Sequence, residues 1–432
     1  MKAFTTTVPG HTNWSQKNKM KELFNEYVKS IETYIMFQIK QEAARLTPEL
    51  EAKGRSPIAL AMGAPVAPPP ELVYQKLIEA LKIPQIHTYS TPKGESFYLE
   101  AIAKRMKNRF GVELDTKTEI FSLIGSKEGL ANFIRALINP TTTDSEKDII
   151  LVPDPGYASY TQIIKTNGGK SCGIPLNKEN KYMPDMHKVW QQLQNDGINT
   201  NKVKAMIINY PSNPLGATCS LEYLKHIVDF CKEKQIWLIS DAAYCDIYFE
   251  ENKRPHSVLE IEGAKDIAVE FYSFSKPYSM TGFRLGWVCG NADAINAFGR
   301  LKSTIDTGLF KALQKCAAEI INSKDGDDYI RQANLNFKNK QNIVVKGFRE
   351  LGWEIKDEDI PDATFYIWLP IPPRYKTSQE FTQDLLKTSG IVVVPGSAFG
   401  NNGEGYFRLS AVSTDEQLQE VIDRMKKDGF YF

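Results

Sequence analysis

Lys276 lies in the stretch SFSKPYSMTGFRLGW (Ser273–Trp287), between Ser275 and Pro277, with Arg284 eight residues further on. An amine in such a turn can attack a carbonyl carbon if part of it is neutral, and a nearby guanidinium disfavours its charged form. Most lysines are solvated surface charges, so the reading needs support from elsewhere in the chain. Four other stretches bear on it. Gly125-Ser126-Lys127 brings a turn, a hydroxyl and an ammonium to the start of a helical pattern, a combination that suits a phosphate. Tyr157, in PDPGYASY, offers an aromatic face. Asn213, in NYPSNPLGA, offers an amide within a proline-bounded turn. Asp241, in SDAAYCDIYF, ends an apolar run with a carboxylate that is costly to bury unless paired, and Tyr244 follows it. Each stretch alone has a plainer reading as a helix cap, a packed ring, a turn or a surface charge.

The elements that must position these residues follow from the pattern of apolar residues. EIFSLIG, DIILVPD, VKAMIINY, IWLISD and IAVEFYSFS read as short buried strands. KEGLANFIRALI and LEYLKHIVDFCKEKQ carry apolar residues three and four apart and read as amphipathic helices. This alternation predicts a mostly parallel mixed sheet covered by helices, an α/β fold in which ligands bind at the carboxyl ends of the strands. All five stretches fall at such ends. Gly282 is expected to let the chain turn so that Arg284 returns to the site.

Upstream, Lys17 to Leu46 reads as one helix, with Leu23, Tyr27, Ile31, Tyr34 and Ile35 as its apolar residues. The proline-rich APVAPPPE breaks the pattern and a new helix spans Leu72 to Leu81. Beyond Thr307 a long helical region runs to Leu351. GWEIKD, TFYIWLP, IVVVPG and YFRLSA then read as strands, with helices at Ser378–Leu386 and at the end of the chain. That is the pattern of a smaller α+β unit. The expected division is an N-terminal arm joined to the small domain (1–62), a large cofactor-binding domain (63–306) and a small C-terminal domain (307–432).

Composition narrows the function classes. The 432 residues carry 53 basic and 52 acidic side chains, which gives no electrostatic case for nucleic acid or an anionic membrane surface. No apolar run has the length of a membrane span, and no secretory signal pattern opens the chain. Six cysteines without a CxxC pair, and five histidines without an HExxH pattern, predict buried free thiols and no metal site. The expected location is the cytoplasm.

Phosphate donors, an aromatic plate, an amide, a carboxylate and a lysine at five successive strand ends meet the needs of pyridoxal 5'-phosphate. The cofactor requires an anion cradle, a stacking face, an acid beside its ring nitrogen and a lysine for the Schiff base. On these motifs, from about Ala59 to Ser410, the chain resembles the class I/II pyridoxal-phosphate-dependent aminotransferases of fold type I. The resemblance implies that Lys276 forms the Schiff base and moves the proton, that Asp241 pairs with the ring nitrogen, and that Tyr244 and Asn213 hydrogen-bond the ring's phenolic oxygen. It implies stacking by Tyr157 and a phosphate cradle of Ser126, Lys127, Ser273, Ser275 and Arg284. Tyr89, in HTYSTPKGE, matches a tyrosine that reaches the phosphate of the partner subunit in a homodimer. Arg408, in YFRLS, matches the arginine that clamps the substrate carboxylate, with Gly63 and Asn213 also facing the substrate.

The reaction so implied moves an amino group between an L-amino acid and a 2-oxo acid. The motif segments look most like the LL-diaminopimelate aminotransferase-like subgroup, with alanine and aspartate aminotransferases next and 2-oxoglutarate as the acceptor. Thr304 departs from that subgroup, many of whose members carry asparagine there. Two alternatives are a pyridoxal-phosphate-dependent carbon–sulfur β-lyase and a cofactor-binding transcription regulator. The roughly 60 residues before Gly63 are short and weakly basic for a DNA-binding domain.

Overall fold

The computed structural model describes residues 23–31, 33 and 35–432. Its strands, in chain order, are β1 (Ile58–Ala59), β2 (Ile120–Leu123), β3 (Ile149–Asp154), β4 (Lys170–Pro175), β5 (Val203–Ile208) and β6 (Trp237–Asp241). They continue with β7 (Ala268–Ser273), β8 (Gly286–Gly290), β9 (Tyr366–Pro370), β10 (Ile391–Val392), β11 (Val394–Pro395) and β12 (Tyr406–Ser410). Seven form the main sheet, in the order β2-β8-β7-β6-β5-β3-β4. β8 runs antiparallel to both its neighbours, and the other pairs are parallel. This is the expected α/β architecture with a mostly parallel mixed sheet.

Apolar side chains cover both faces of the sheet, which is why its strands read as continuous apolar runs. Leu238, Ala268, Tyr272 and Cys289 pack into the core on one face, and Ile150, Ile207, Ile239, Val269 and Phe271 into that on the other. Burying one such large side chain contributes about 1.5–3 kcal/mol. β4 and β8 were not anticipated from sequence. KSCGIP mixes polar and small residues, and GWVCG is framed by glycines in what reads as a turn. At Gly286 a Cβ would stand 2.4 Å from the Tyr272 carbonyl oxygen, so only glycine lets β8 approach β7 this closely.

The second group of elements comprises the antiparallel sheet β11-β12-β9, the short parallel pair β1-β10, and helices Lys324–Glu350, Ser378–Ser389 and Asp415–Lys427. Phe348, Trp353, Phe381, Phe407 and Leu409 form its core. The expected strand at GWEIKD is absent. That segment folds as a loop into a 3-10 turn at Asp357–Asp359, and buried Trp353 donates its indole N–H to the Pro370 carbonyl at 2.8 Å. The helical region after Thr307 is two helices, Lys311–Ile320 and Lys324–Glu350.

The expected single helix from Lys17 to Leu46 is also corrected. Residues 17–22, Glu32 and Tyr34 lie outside the described residues. A one-turn helix, Glu26–Lys29, is capped by Asn25, and a separate helix runs from Ile35 to Ala52, through Pro48. Leu23 and Ile31 are exposed. The apolar face that packs is instead Met36, Ile39, Ala43, Leu46 and Leu50, against Leu386, Val392, Val394 and Phe399. Among the described residues no helix is long and apolar enough to cross a membrane.

Candidate active site

The residues that follow β2, β3, β5, β6 and β7 meet at one cavity of about 300 Å³. Gly63, Ser126, Lys127, Tyr157, Asn213 and Asp241 line it, as do Tyr244, Ser273, Ser275, Lys276, Arg284 and Arg408. Tyr89 alone of the predicted set stands apart, 84% exposed.

Asp241 closes β6 and is buried. Its Oδ2 accepts a hydrogen bond from the Tyr160 hydroxyl at 2.7 Å, and Oδ1 accepts one from the Ala243 N–H at 3.4 Å. Burial pushes its carboxyl up to about 6, opposed by these hydrogen bonds and by the Lys276 charge. Asn209 holds two site segments together: its amide donates to the Asp241 carbonyl at 2.7 Å, and its oxygen accepts from the Asn213 N–H at 2.8 Å.

Lys276 directs its ammonium to the carbonyl of Gly63 and lies 5.7 Å from the centre of the Tyr244 ring. Burial, then Arg408, then more weakly Arg284, bring its pKa down to about 8, and Asp241 pulls the other way. For both groups of this pair, desolvation outweighs mutual attraction. Arg408 is 3% exposed; its Nη1 donates to Asn213 Oδ1 at 2.8 Å and its Nη2 to the Ala61 carbonyl at 2.6 Å. Its guanidinium lies 4.4 Å over the Tyr366 ring and 4.9 Å over that of Phe399.

At the other end of the cavity the helix Ser126–Leu137 begins without a side-chain cap, after Gly125 at φ 120°. A Cβ there would fall 2.6 Å from Arg284 Nη2. Ser275 N–H donates to Ser273 Oγ at 3.1 Å. The expected role of Gly282 is overturned. A Cβ on that glycine would meet nothing within 4 Å, and it is not among the residues with positive φ. Ser279 and Arg284 make the turn in the left-handed region, at φ 54° and 57°, and Arg284 Nη1 donates to the Thr281 carbonyl. Such non-glycine conformations are strained by about 1–3 kcal/mol and persist where the surroundings fix them.

Residues 55–425 match the family model described as aminotransferase class I and II. The chain belongs to that family. The aminotransferase is 36% identical to an LL-diaminopimelate aminotransferase of Halothermothrix orenii over 405 residues, 94% of this chain and 98% of that protein. It is 39% identical to LL-diaminopimelate aminotransferase 2 of Trichormus variabilis, over 95% and 99% of the two chains. Among solved structures, substrate-bound BacF from Bacillus subtilis aligns with a TM-score of 0.85 and 32% identity, over 94% of this chain and 97% of that one. Thermus thermophilus aspartate aminotransferase with maleate shares the fold, with a TM-score of 0.83 at 23% identity over 94% and 99% of the chains. Class I and II aminotransferases depend on pyridoxal phosphate and act on amino and 2-oxo acids.

Sequence reasoning missed Tyr160, Asn209 and Tyr366 in this aminotransferase's cavity. Tyr160 lies one helical turn after Tyr157 in PDPGYASY, and Asn209 in the polar end of MIINY, so both carried a signal of position. Tyr366 sits inside TFYIWLP and carried none.

Proposed function

We propose that this aminotransferase carries amino groups between an L-amino acid and a 2-oxo acid on pyridoxal phosphate attached to Lys276. LL-diaminopimelate is the first candidate donor, aspartate and alanine come next, and 2-oxoglutarate is the acceptor. The observation that carries the reading is the gathering of Lys276, Asp241 and Arg408 in one cavity. The names of the relatives, at 36% and 39% identity, support the donor.

The residues fit the cofactor. An uncapped helix start, the hydroxyls of Ser126, Ser273 and Ser275, Lys127 and Arg284 make a donor set for a phosphate dianion. Tyr157 lines the cavity as a stacking face, and Asp241, ionised above about 6, suits a ring nitrogen that must stay protonated. When bound, the ring takes up the electron pair left by removal of a Cα proton. Arg408 binds the substrate carboxylate as a fork, its plane fixed by Asn213 and Ala61. Lys276 Nζ, partly neutral near pH 8, accepts the Cα proton and returns it. Tyr244 donates to the phenolic oxygen. A second cavity of about 690 Å³ shares Ile35, Tyr157, Ala158, Tyr160 and Phe399 with the first and gives room for a long substrate side chain.

The proposal includes a homodimer in which Tyr89 reaches the partner's phosphate site. Tyr74, Ile78 and Leu81 form an exposed apolar stripe along helix Glu71–Leu81, and Lys311 Nζ donates to Thr88 Oγ1, tying the exposed Phe310 segment to the Tyr89 turn. An Ile78→Asp variant is expected to sediment as a monomer and to lose activity; a fully active dimer would count against this arrangement. The division into 1–62, 63–306 and 307–432 is part of the reading, and the β1–β10 pairing supports joining the arm to the C-terminal unit. Cytoplasmic action is supported by six free cysteines, five of them buried.

Incubation with a panel of amino acids, with and without 2-oxoglutarate, tests the function. Without the acceptor, keto acid is expected at no more than one equivalent per site, with continued turnover only when 2-oxoglutarate is present, and sustained acceptor-independent pyruvate and ammonia would indicate a lyase. Cofactor capture by the cofactor-free protein should accelerate between about pH 7 and 9 and then level off, following the neutral fraction of an amine at about 8. A rate still rising above pH 10 would contradict the lowered Lys276 value.

A further inference from the structure

Tyr366 lies on β9, opposite Ser410 of β12, and reaches the catalytic cavity. Its hydroxyl is 2.7 Å from the Tyr244 hydroxyl and 3.5 Å from the Gly63 carbonyl oxygen. The first contact is a full hydrogen bond, and the second is at the outer limit of one. At 3.5 Å the Gly63 oxygen is a poor acceptor for the Tyr366 proton, and the Tyr244 oxygen at 2.7 Å is the well-placed one, with Lys276 free or attached. The Arg408 guanidinium stacks 4.4 Å over the Tyr366 ring and fixes its plane.

We propose that Tyr366 is a positioning residue: it donates to the Tyr244 oxygen, so that the proton of Tyr244 points into the cavity toward the cofactor's phenolic oxygen. The inference rests on the proposed cofactor site and adds a residue to which neither the motifs nor the family resemblance gave a role. A hydroxyl that accepts one hydrogen bond donates the next more strongly, so Tyr244 acts as a better donor than a lone phenol. With the cofactor attached, its phenolic oxygen would compete for the proton on the lysine nitrogen, and a stronger hydrogen bond from Tyr244 would let that nitrogen lose its proton at lower pH. The stack of Arg408 on Tyr366 also joins the substrate clamp and the ring tuner in one contact. Part of the linkage chemistry is therefore set from β9, on the far side of the cavity from the main sheet.

The test is a pH titration of the visible absorbance of the cofactor-loaded protein and its variants. Tyr366→Phe keeps the ring, its place in β9 and the stack with Arg408, and removes only the hydroxyl. Its titration midpoint is expected to rise by about 0.5–1 pH unit, the worth of one net hydrogen bond. KM for the amino acid should change less than about twofold, because the clamp is intact. Tyr244→Phe should raise the midpoint further, and the double variant should match Tyr244→Phe alone, because Tyr366 acts only through Tyr244. A Tyr366→Phe midpoint that is unchanged or lowered, or additive shifts in the double variant, would overturn the inference while leaving the cofactor site standing. Absence of a visible band in the unaltered protein would overturn the cofactor site and this inference together.

Discussion

Replacing Lys276 by alanine is expected to lower turnover by about 10⁴-fold or more and to abolish the visible absorbance of lysine-bound cofactor. The size of the effect follows from the state of the amine. At pH 7.5 a lysine with a pKa of about 8 is roughly one-quarter neutral, against about 0.1% for an ordinary lysine. Only the neutral form attacks a carbonyl carbon or accepts the Cα proton, and the side chain is asked to do both. Lys127 also lines the cavity, but it stands at the start of helix Ser126–Leu137, among the phosphate donors. Lys127→Ala should therefore weaken cofactor binding and leave the covalent attachment in place. A Lys276→Ala protein that keeps the full visible band would refute the assignment.

Asp241→Asn is expected to move activity and stability in opposite directions. Loss of the negative charge beside the ring nitrogen should cost turnover about 10²–10⁴-fold, the effect of removing one partner of a buried charge pair. The cofactor should remain attached, because Lys276 and the phosphate donors are untouched. The sign for stability follows from the carboxyl's folded value of about 6, above the 3.8 of the unfolded chain. Between these values the folded state holds more protons, so stability falls as pH rises through that window, and the loss persists at neutral pH. Asparagine removes the titration, and the amide oxygen still accepts from Tyr160. The cofactor-free variant should resist urea better than the unaltered protein at pH 7.5, by about 1–3 kcal/mol. Equal stability at pH 7.5 and equal turnover would together contradict the buried, ionised carboxylate.

The parts of this site that were legible in the sequence share one property: they follow apolar runs. Asp241, Lys276, Asn213 and Tyr157 end or follow strands buried on both faces, and a polar residue there stands out against its surroundings. Tyr366 was not legible, because a tyrosine within TFYIWLP looks like any half-polar core residue until β9 is paired with β12. The turn before Arg284 was misread for a related reason. Glycine is the usual marker of a left-handed turn, yet here Ser279 and Arg284 adopt that conformation and Gly282 does not. β8 was hidden by its glycines, which serve close strand approach rather than a bend. The N-terminal helix was misplaced because Leu23 and Ile31 fit a helical period yet stay exposed among the described residues.

The run from Ile58 to Gly63 sets a limit on protein engineering. Ile58 and Ala59 pair with Ile391 and Val392, the Ala61 carbonyl holds Arg408, and the Gly63 carbonyl holds Lys276. Two alternate carbonyls of one backbone stretch thus hold the clamp arginine and the lysine in its free state. N-terminal truncation is bounded further upstream, because helix Ile35–Ala52 packs on Leu386, Val392, Val394 and Phe399, and a cut at residue 64 would in addition leave Arg408 and Lys276 each short of an acceptor at the cavity wall. Fusion partners and affinity handles at this end belong well upstream of Ile58, and a circular permutant opened between 58 and 63 should fold with its chemistry disabled.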